Sequence, residues 1–383
     1  MLHRTLTRTK SLEALQSEAH AEGALRRVLG LWQLTAIGLG GIIGAGIFVL
    51  TGVVAATDAG PGVALSFVIA GIASAAAALS YAEFAGMIPV AGSAYTYGYA
   101  VLGELVAWII GWDLLLEYAL VVGVVAIGWS AYVQSFLGSF GISLPVWAQG
   151  APGSGAGHVV DLVAIIGSAG VAGLLTLHIE WGARFNMTMV VLKIAAVLLV
   201  IAAGLLHVDP AHWHPFMPFG FNGVVNGAAV VFFAVFGYDT LTTAAEEARN
   251  PQQALPRAVI LSLAVSLVLY VAMALVLTGM VRYDSLNSAA PVSAAFAKIG
   301  MPWIALIVSA AAVVGLLSVM LAFMLGCARI AFAMSRDGLL PAWLSKPHPR
   351  FRTPHRPTVI AGAITALVAG FLPIREVAEL VNI

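Results

Sequence analysis

Apolar residues run along this chain in blocks parted by short polar stretches, and a block of about 20 is what a helix needs to cross a hydrocarbon layer. That window predicts helices at 31–55, 62–88, 98–136, 160–180, 186–206, 222–247, 258–280, 303–333 and 357–373, with a tenth opening near Arg375. The third and eighth exceed a simple span and are expected to tilt or to extend into water. Two blocks carry an interruption. The first holds GLGGIIGAGIFVLTG, Gly38 to Gly52, with six glycines inside an apolar run. The sixth holds VFFAVFGYDTLTTAAEEARNP, where Gly237 stops an apolar run and polar residues follow at once. A membrane helix that breaks exposes amide and carbonyl groups, and in secondary transporters those groups hold the substrate near the bilayer midplane.

Five helices starting on one side followed by five starting on the other is the arithmetic of an inverted-topology repeat, with the broken first and sixth members in corresponding positions. On that arithmetic the second repeat is cut short at Ile383. The repeat logic favours a piece of a longer protein over a degenerate member that has lost its last helices.

Composition agrees with the pattern: 61% of the 383 residues are hydrophobic and 9% charged, which makes the chain an all-α integral membrane protein. A formal net charge of zero argues against a nucleic-acid partner, and the single cysteine, Cys327, excludes an intrachain disulfide. Residues 1–27 read as a polar arm with Arg26 and Arg27 at the membrane edge, without the apolar core of a removable signal, and 28–383 read as the membrane core. With the N-terminus in the cytoplasm, 14 of the 18 Lys and Arg fall on the cytoplasmic side: five in the arm, Arg184, Arg249, Arg257, and six between Arg329 and Arg356. That bias sets the expected orientation, in a multi-pass protein of the cell membrane. The stretch from Leu144 to His158 reads as a flexible Gly, Ser and Pro linker between helices.

Gly44, Ala45 and Gly46 are the first candidate site, because amides at the start of a half-helix suit a carboxylate. The bland alternative is close helix packing, since Gly40 and Gly44 have GxxxG spacing. A dinucleotide reading fails, because the spacing is GxGxxxG and no βαβ unit surrounds it. Lys193 is the sharpest single residue: an ammonium deep in a bilayer is costly, and it could lose and regain a proton in a cycle. The competing reading is snorkelling, as Lys193 lies about two turns from the cytoplasmic end of its helix. Asp113 and Glu117 share a helix face, and Glu117 is a candidate neighbour of Lys193 or of the substrate, against a structural buried pair. Glu83, Glu246 and Glu247 read as cytoplasmic gate or capping residues with Arg249, Arg257, Arg329 or Arg336 as partners. Met320, Phe323 and Met324 have spacings that would line a pocket, although such a stripe is more often core. His207, His212 and His214 make a weak metal motif, so neither a metal nor a cofactor is expected. GxSxG and GxxxxGK[ST] are absent, so an enzyme is not expected either.

Together these residues resemble a known family. GIIGAGIFVLTG at Gly41 to Gly52, YAEFAGMIPVAGSAYTY at Tyr81 to Tyr97, GWDLLLEYAL at Gly111 to Leu120, FFAVFGYDTLTTAAEEARNPQQALPRAV at Phe232 to Val259 and CARIAFAMSRDGLLP at Cys327 to Pro341 stand in the order found in cationic amino acid transporters of the amino acid, polyamine and organocation superfamily. The resemblance implies the LeuT-like five-plus-five inverted repeat with broken helices one and six. It implies a substrate ammonium on the carbonyls of Ile42, Phe233, Ala234 and Phe236, and a proton-coupling role for Lys193, whose place is taken by an ion in sodium-coupled relatives. A bulky residue at Phe323 would favour small or apolar amino acids. The expectation is a proton-coupled amino acid transporter working by alternating access, with amino acid, proton and membrane lipid as partners. The alternatives are an uncoupled amino acid or polyamine exchanger and a nontransporting membrane sensor or binding subunit.

Overall fold

A computed structural model describes residues 9–10, 29–88, 93–177, 182–346, 348 and 353–381, with the side chains of 177, 182–186, 233, 244, 246 and 247 outside that description. Arg26, Arg27 and the side chains of Arg184, Glu246 and Glu247 therefore lie outside the described residues. The α-helices are α1 (Leu31–Ile42), α2 (Thr51–Val54), α3 (Val63–Met87), α4 (Ser93–Val101), α5 (Glu104–Gly138), α6 (Leu162–Leu177), α7 (Gly182–Leu205), α8 (Gly220–Val231), α9 (Pro251–Met280), α10 (Pro291–Lys298), α11 (Pro302–Arg336), α12 (His355–Phe371) and α13 (Ile374–Val381). Among the described residues there is no sheet. The only β-type pairings there are two isolated bridges, Leu29 with Ala248 and Gln149 with Asp161.

Five stretches, Gly46–Met87, Glu104–Gly138, Met187–Leu205, Pro251–Met280 and Pro302–Arg336, are long and apolar enough to cross a membrane. The first of them is two limbs, reversed at Gly60, whose φ of +62° and ψ of −147° suit glycine. Apolar residues occupy both faces of these helices. Ile72, Leu79, Leu116, Leu192 and Val268 are exposed while Phe67, Leu120, Val197, Leu277 and Leu316 are buried. A helix that is apolar all round needs apolar surroundings on every side, so the chain is a multi-pass membrane protein.

Since lipid offers no hydrophobic drive between helices, close packing must hold the bundle. The main contacts pair α5 with α11, α3 with α9, and α6 with α12, while α1 lies against α9, α7 and the segment after Gly237. Small residues sit where backbones come closest: a Cβ on Gly326 of α11 would lie 2.5 Å from Tyr118 of α5, and one on Gly362 of α12 would lie 2.4 Å from Ala172 of α6.

Three expectations need correction. The predicted third helix, 98–136, is two helices: Gly103, with φ +93°, separates α4 from α5, and a hydropathy window merges them because both are apolar. The first break falls at Ile43 and Gly44, slightly ahead of the centre of the glycine cluster, and α1 and α2 are joined by a π-helical turn at Gly46–Leu50. The stretch expected as a flexible linker is pinned: Val159 and Val160 both donate to Trp147 O, Gln149 Nε2 donates to Leu144 O at 2.7 Å, and Asp161 N donates to Gly370 O.

Candidate functional site

Helix α1 stops because Ile43 turns extended, with ψ of 98°, and the ladder cannot continue through Gly44. The carbonyls at such an end have no partner within their own helix and must find one elsewhere. Lys193 Nζ, on α7, donates to Gly40 O at 2.7 Å and to Ile43 O at 2.8 Å. Its third bond, at 3.0 Å, goes to Ser318 Oγ on α11. Ser318 gives its own proton to Gly315 O at 2.7 Å, so it can only accept from Lys193. Three acceptors thus take three protons, and the side chain is turned fully inward, with 0% exposure. This replaces the snorkelling reading: Lys193 holds α1, α7 and α11 together and does not reach for headgroups.

The second interruption follows α8. A 3₁₀ turn, Phe232–Val235, leads to Gly237, whose φ of +108° is left-handed, and a further 3₁₀ segment runs over Tyr238–Glu247. Thr240 Oγ1 donates back to Gly237 O at 2.6 Å. Here the two breaks touch. A Cβ on Gly41 would lie 2.8 Å from Gly237 O, and one on Gly46 would lie 2.3 Å from Ala234 Cβ, so only glycine permits the approach at both points.

Tyr270, on α9, joins the same place. Its hydroxyl lies 2.5 Å from Ile42 O and 2.8 Å from Ala234 O, two carbonyls from the two separate breaks. Phe67 packs on its ring with centroids 5.0 Å apart. Of the expected site residues, Ile42, Gly44, Ala45, Gly46, Ala234 and Phe236 thus share one locality, together with the backbone of Phe233. Val319 of α11 borders it, 3.0 Å from where a Gly44 Cβ would be. Phe236 is half-buried against the rings of Phe232 and Tyr238.

Phe323, Met320 and Met324 are buried on α11, and Phe323 meets Tyr118 edge-on, with centroids 5.1 Å apart. Tyr118 Oη donates to Asp239 Oδ2, which joins α5 to the segment after Gly237. Glu117 is half-buried in the field of Asp239 and Asp113, and Asp113 itself is exposed. Glu117 and Lys193 therefore belong to two different polar centres, since the donors of Lys193 are all taken by Gly40, Ile43 and Ser318. His212 Nδ1 meets Gly279 O at 2.8 Å and His207 Nδ1 meets Ala203 O at 3.1 Å, so these rings fasten the 3₁₀ turn Pro210–Trp213 and the end of α7. Among the described residues no group of three or more His, Cys, Asp or Glu side chains is placed to hold a metal.

Tyr270, Asp239, Tyr118 and Ser318 escape the sequence reading. Asp239 left a signal, a carboxylate two residues past a glycine break. Tyr270 and Ser318 left almost none, each being one hydroxyl in an apolar run whose partners are distant in sequence.

Comparison with known proteins shows the family. The profile described as amino acid permease matches residues 29–382. The chain is 47% identical over 378 residues to the methylthioribose transporter of Bacillus subtilis (strain 168), covering 99% of this chain and 82% of that protein. It is 48% identical over 379 residues to the branched-chain amino acid permease BcaP of the same organism, covering 98% and 81%. With cationic amino acid transporter 4 of Homo sapiens it shares 36% identity over 390 residues, covering 99% of this chain and 60% of that protein. These relatives are permeases and transporters, not enzymes. The chain belongs to the amino acid permease family of the amino acid, polyamine and organocation superfamily.

Proposed function

We propose that this protein is a proton-coupled amino acid transporter of the cell membrane, with a LeuT-like five-plus-five inverted repeat and a cytoplasmic N-terminus. The observation that carries the reading is the meeting of the two helix breaks at Gly41 and Gly237, with Ile42 O and Ala234 O turned to one point. Residues 1–27 are the arm and 28–383 the transporting core in this reading. The substrate carboxylate lies on the amides of Gly44, Ala45 and Gly46, and its ammonium on carbonyls of Ile42, Phe233, Ala234 and Phe236. Carbonyls hold a cation without adding a fixed charge to the empty carrier. Phe323 closes the side-chain end, which supports a small or apolar amino acid, and a relative named as a branched-chain amino acid permease supports the same class.

Lys193 couples the proton. As an ammonium it supplies one proton to each of its three acceptors, and as an amine it has two N–H groups for the same three. Loss of the proton therefore costs one hydrogen bond of the set, either a contact to α1 or the bond from Ser318 to Gly315 O if that hydroxyl turns to the amine. Neutral N–H donors also hold α1 less strongly than charged ones. Glu117, beside Asp239, is the second titrating group. A second reading, in which the cargo is a neutral hydroxylated thiosugar, is favoured by the relative named as a methylthioribose transporter.

The test is uptake by purified protein in proteoliposomes under an imposed pH gradient. One proton per substrate allows about tenfold accumulation per pH unit. Gradient-driven accumulation of leucine or valine, lost with a protonophore, is the expected result. Uptake indifferent to the gradient and to Lys193→Ala overturns coupling, and uptake of methylthioribose with no amino acid moved favours the second reading.

A further inference from the structure

We propose that Tyr270 is the latch of the empty carrier: its hydroxyl stands where the substrate ammonium binds and joins the two broken helices when no substrate is present. The proposal rests on the transport reading above. Tyr270 is fully buried on α9, and its Oη contacts Ile42 O of the first break and Ala234 O of the second. These are two of the carbonyls assigned to the ammonium. The position a Gly46 Cβ would take is 3.4 Å from the same Oη, so the hydroxyl sits within the break and not at its edge.

Proton counting separates the two occupants. A phenol has one proton and can satisfy one carbonyl at a time, whereas an ammonium has three and can satisfy both with one left over. Buried carbonyls need a donor in every state of the cycle, including the return step in which no substrate is bound. Tyr270 provides that donor without charge. Arriving substrate outcompetes the phenol at both carbonyls and displaces the hydroxyl, and the third ammonium proton is left for a carbonyl of Phe233 or Phe236. Site occupancy is thereby linked to α9, which packs along both α1 and α3.

Net uptake and exchange read this directly, because net uptake needs the empty carrier to return and exchange does not. Tyr270→Phe keeps the ring and its packing on Phe67 and removes only the donor. In proteoliposomes we expect net influx of leucine into substrate-free vesicles to fall about tenfold, the cost of one unmet buried carbonyl, with leucine–leucine exchange within about twofold of wild type. An equal partial loss in both fluxes, or no loss in either, overturns the proposal. Should the variant carry neither flux, the thermal shift produced by leucine decides: a larger rise than in wild type supports the latch, since its competitor is gone, and a smaller or absent rise overturns it. Wild-type protein that moves no amino acid in either assay overturns the transport reading itself, and the proposal with it. Failure of the latch alone leaves wild type active and the variant without a split.

Discussion

The two helix breaks meet at one point but are made by different means. The first is loosened by glycines at 40, 41, 44 and 46, none of which has a left-handed φ, and its carbonyls at Gly40 and Ile43 are met by a cation from α7. The second turns on one glycine, Gly237, at φ +108°, and Thr240 three residues later satisfies that glycine's carbonyl. One break is held from a distance by a group that can change its charge. The other is turned by backbone geometry that cannot, and the contacts that reach it from α9 and α5 are the hydroxyls of Tyr270 and Tyr118. The proposed coupling uses this asymmetry: a hinge whose closure depends on the side chain of Lys193, set against a partner that stays in place.

The strongest way to break this comparison is to remove the distant cation. Lys193→Met keeps most of the side-chain length and leaves Gly40 O and Ile43 O without their donor, at about 1–3 kcal/mol for each buried acceptor. Gradient-driven uptake is expected to fall about 100-fold, and what remains should no longer depend on pH, because the group that titrated is gone. A Lys193→Met protein that retains a steep response of uptake to the gradient would show that the first break is not the proton-sensitive one.

The second break should respond differently. Gly237→Ala forces a Cβ into a left-handed residue, about 1–2 kcal/mol, and sets it 2.9 Å from Gly41 C, which is backbone and cannot step aside. The expected result is a lower midpoint of thermal unfolding by the same amount at pH 6 and pH 8, since no titrating group is touched. A loss of stability that varies with pH would tie this break to the acidic centre of Asp239 and Glu117, and the distinction between the two would narrow.

How much of this was legible in the sequence follows from the range of each interaction. Breaks are local, so the glycine cluster and Gly237 announced them, and the apolar blocks announced most of the helices. Gly103 was missed as a helix boundary because it lies between two apolar stretches and its effect is conformational, not compositional. Lys193 stood out because a charge in an apolar run is rare, yet the sequence left open whether it turned inward. Tyr270 was invisible: its partners are 228 and 36 residues away and are main-chain carbonyls, which carry no residue identity to recognise. Glu117 was expected near Lys193 or the substrate; the donors of Lys193 are taken elsewhere, and the charge that reaches Glu117 from the second break is Asp239, tied to α5 by Tyr118 in a way no spacing records.

The smallest effect sharpens the comparison from outside it. Asp58 lies in the π-helical turn Ala55–Ala59 that continues the first broken segment, and its Oδ1 meets Arg375 Nη2 of α13 at 3.3 Å. Arg375 is half exposed and is shared with Glu379 through a second contact at 2.9 Å. Thr57 Oγ1 also donates to Asp58 Oδ2 at 2.5 Å, so the carboxylate is positioned whether or not the arginine is there. An ion pair of this kind contributes less than about 1 kcal/mol and is screened by salt. Asp58→Asn should therefore lower net uptake no more than about twofold at low ionic strength, with the difference gone at about 0.5 M salt. A tenfold loss that persists in salt would mean that the far end of the first segment is gripped as firmly as its break. Control of that segment would then be divided between Lys193 and Arg375, and its motion could not be assigned to the proton-sensitive contact alone.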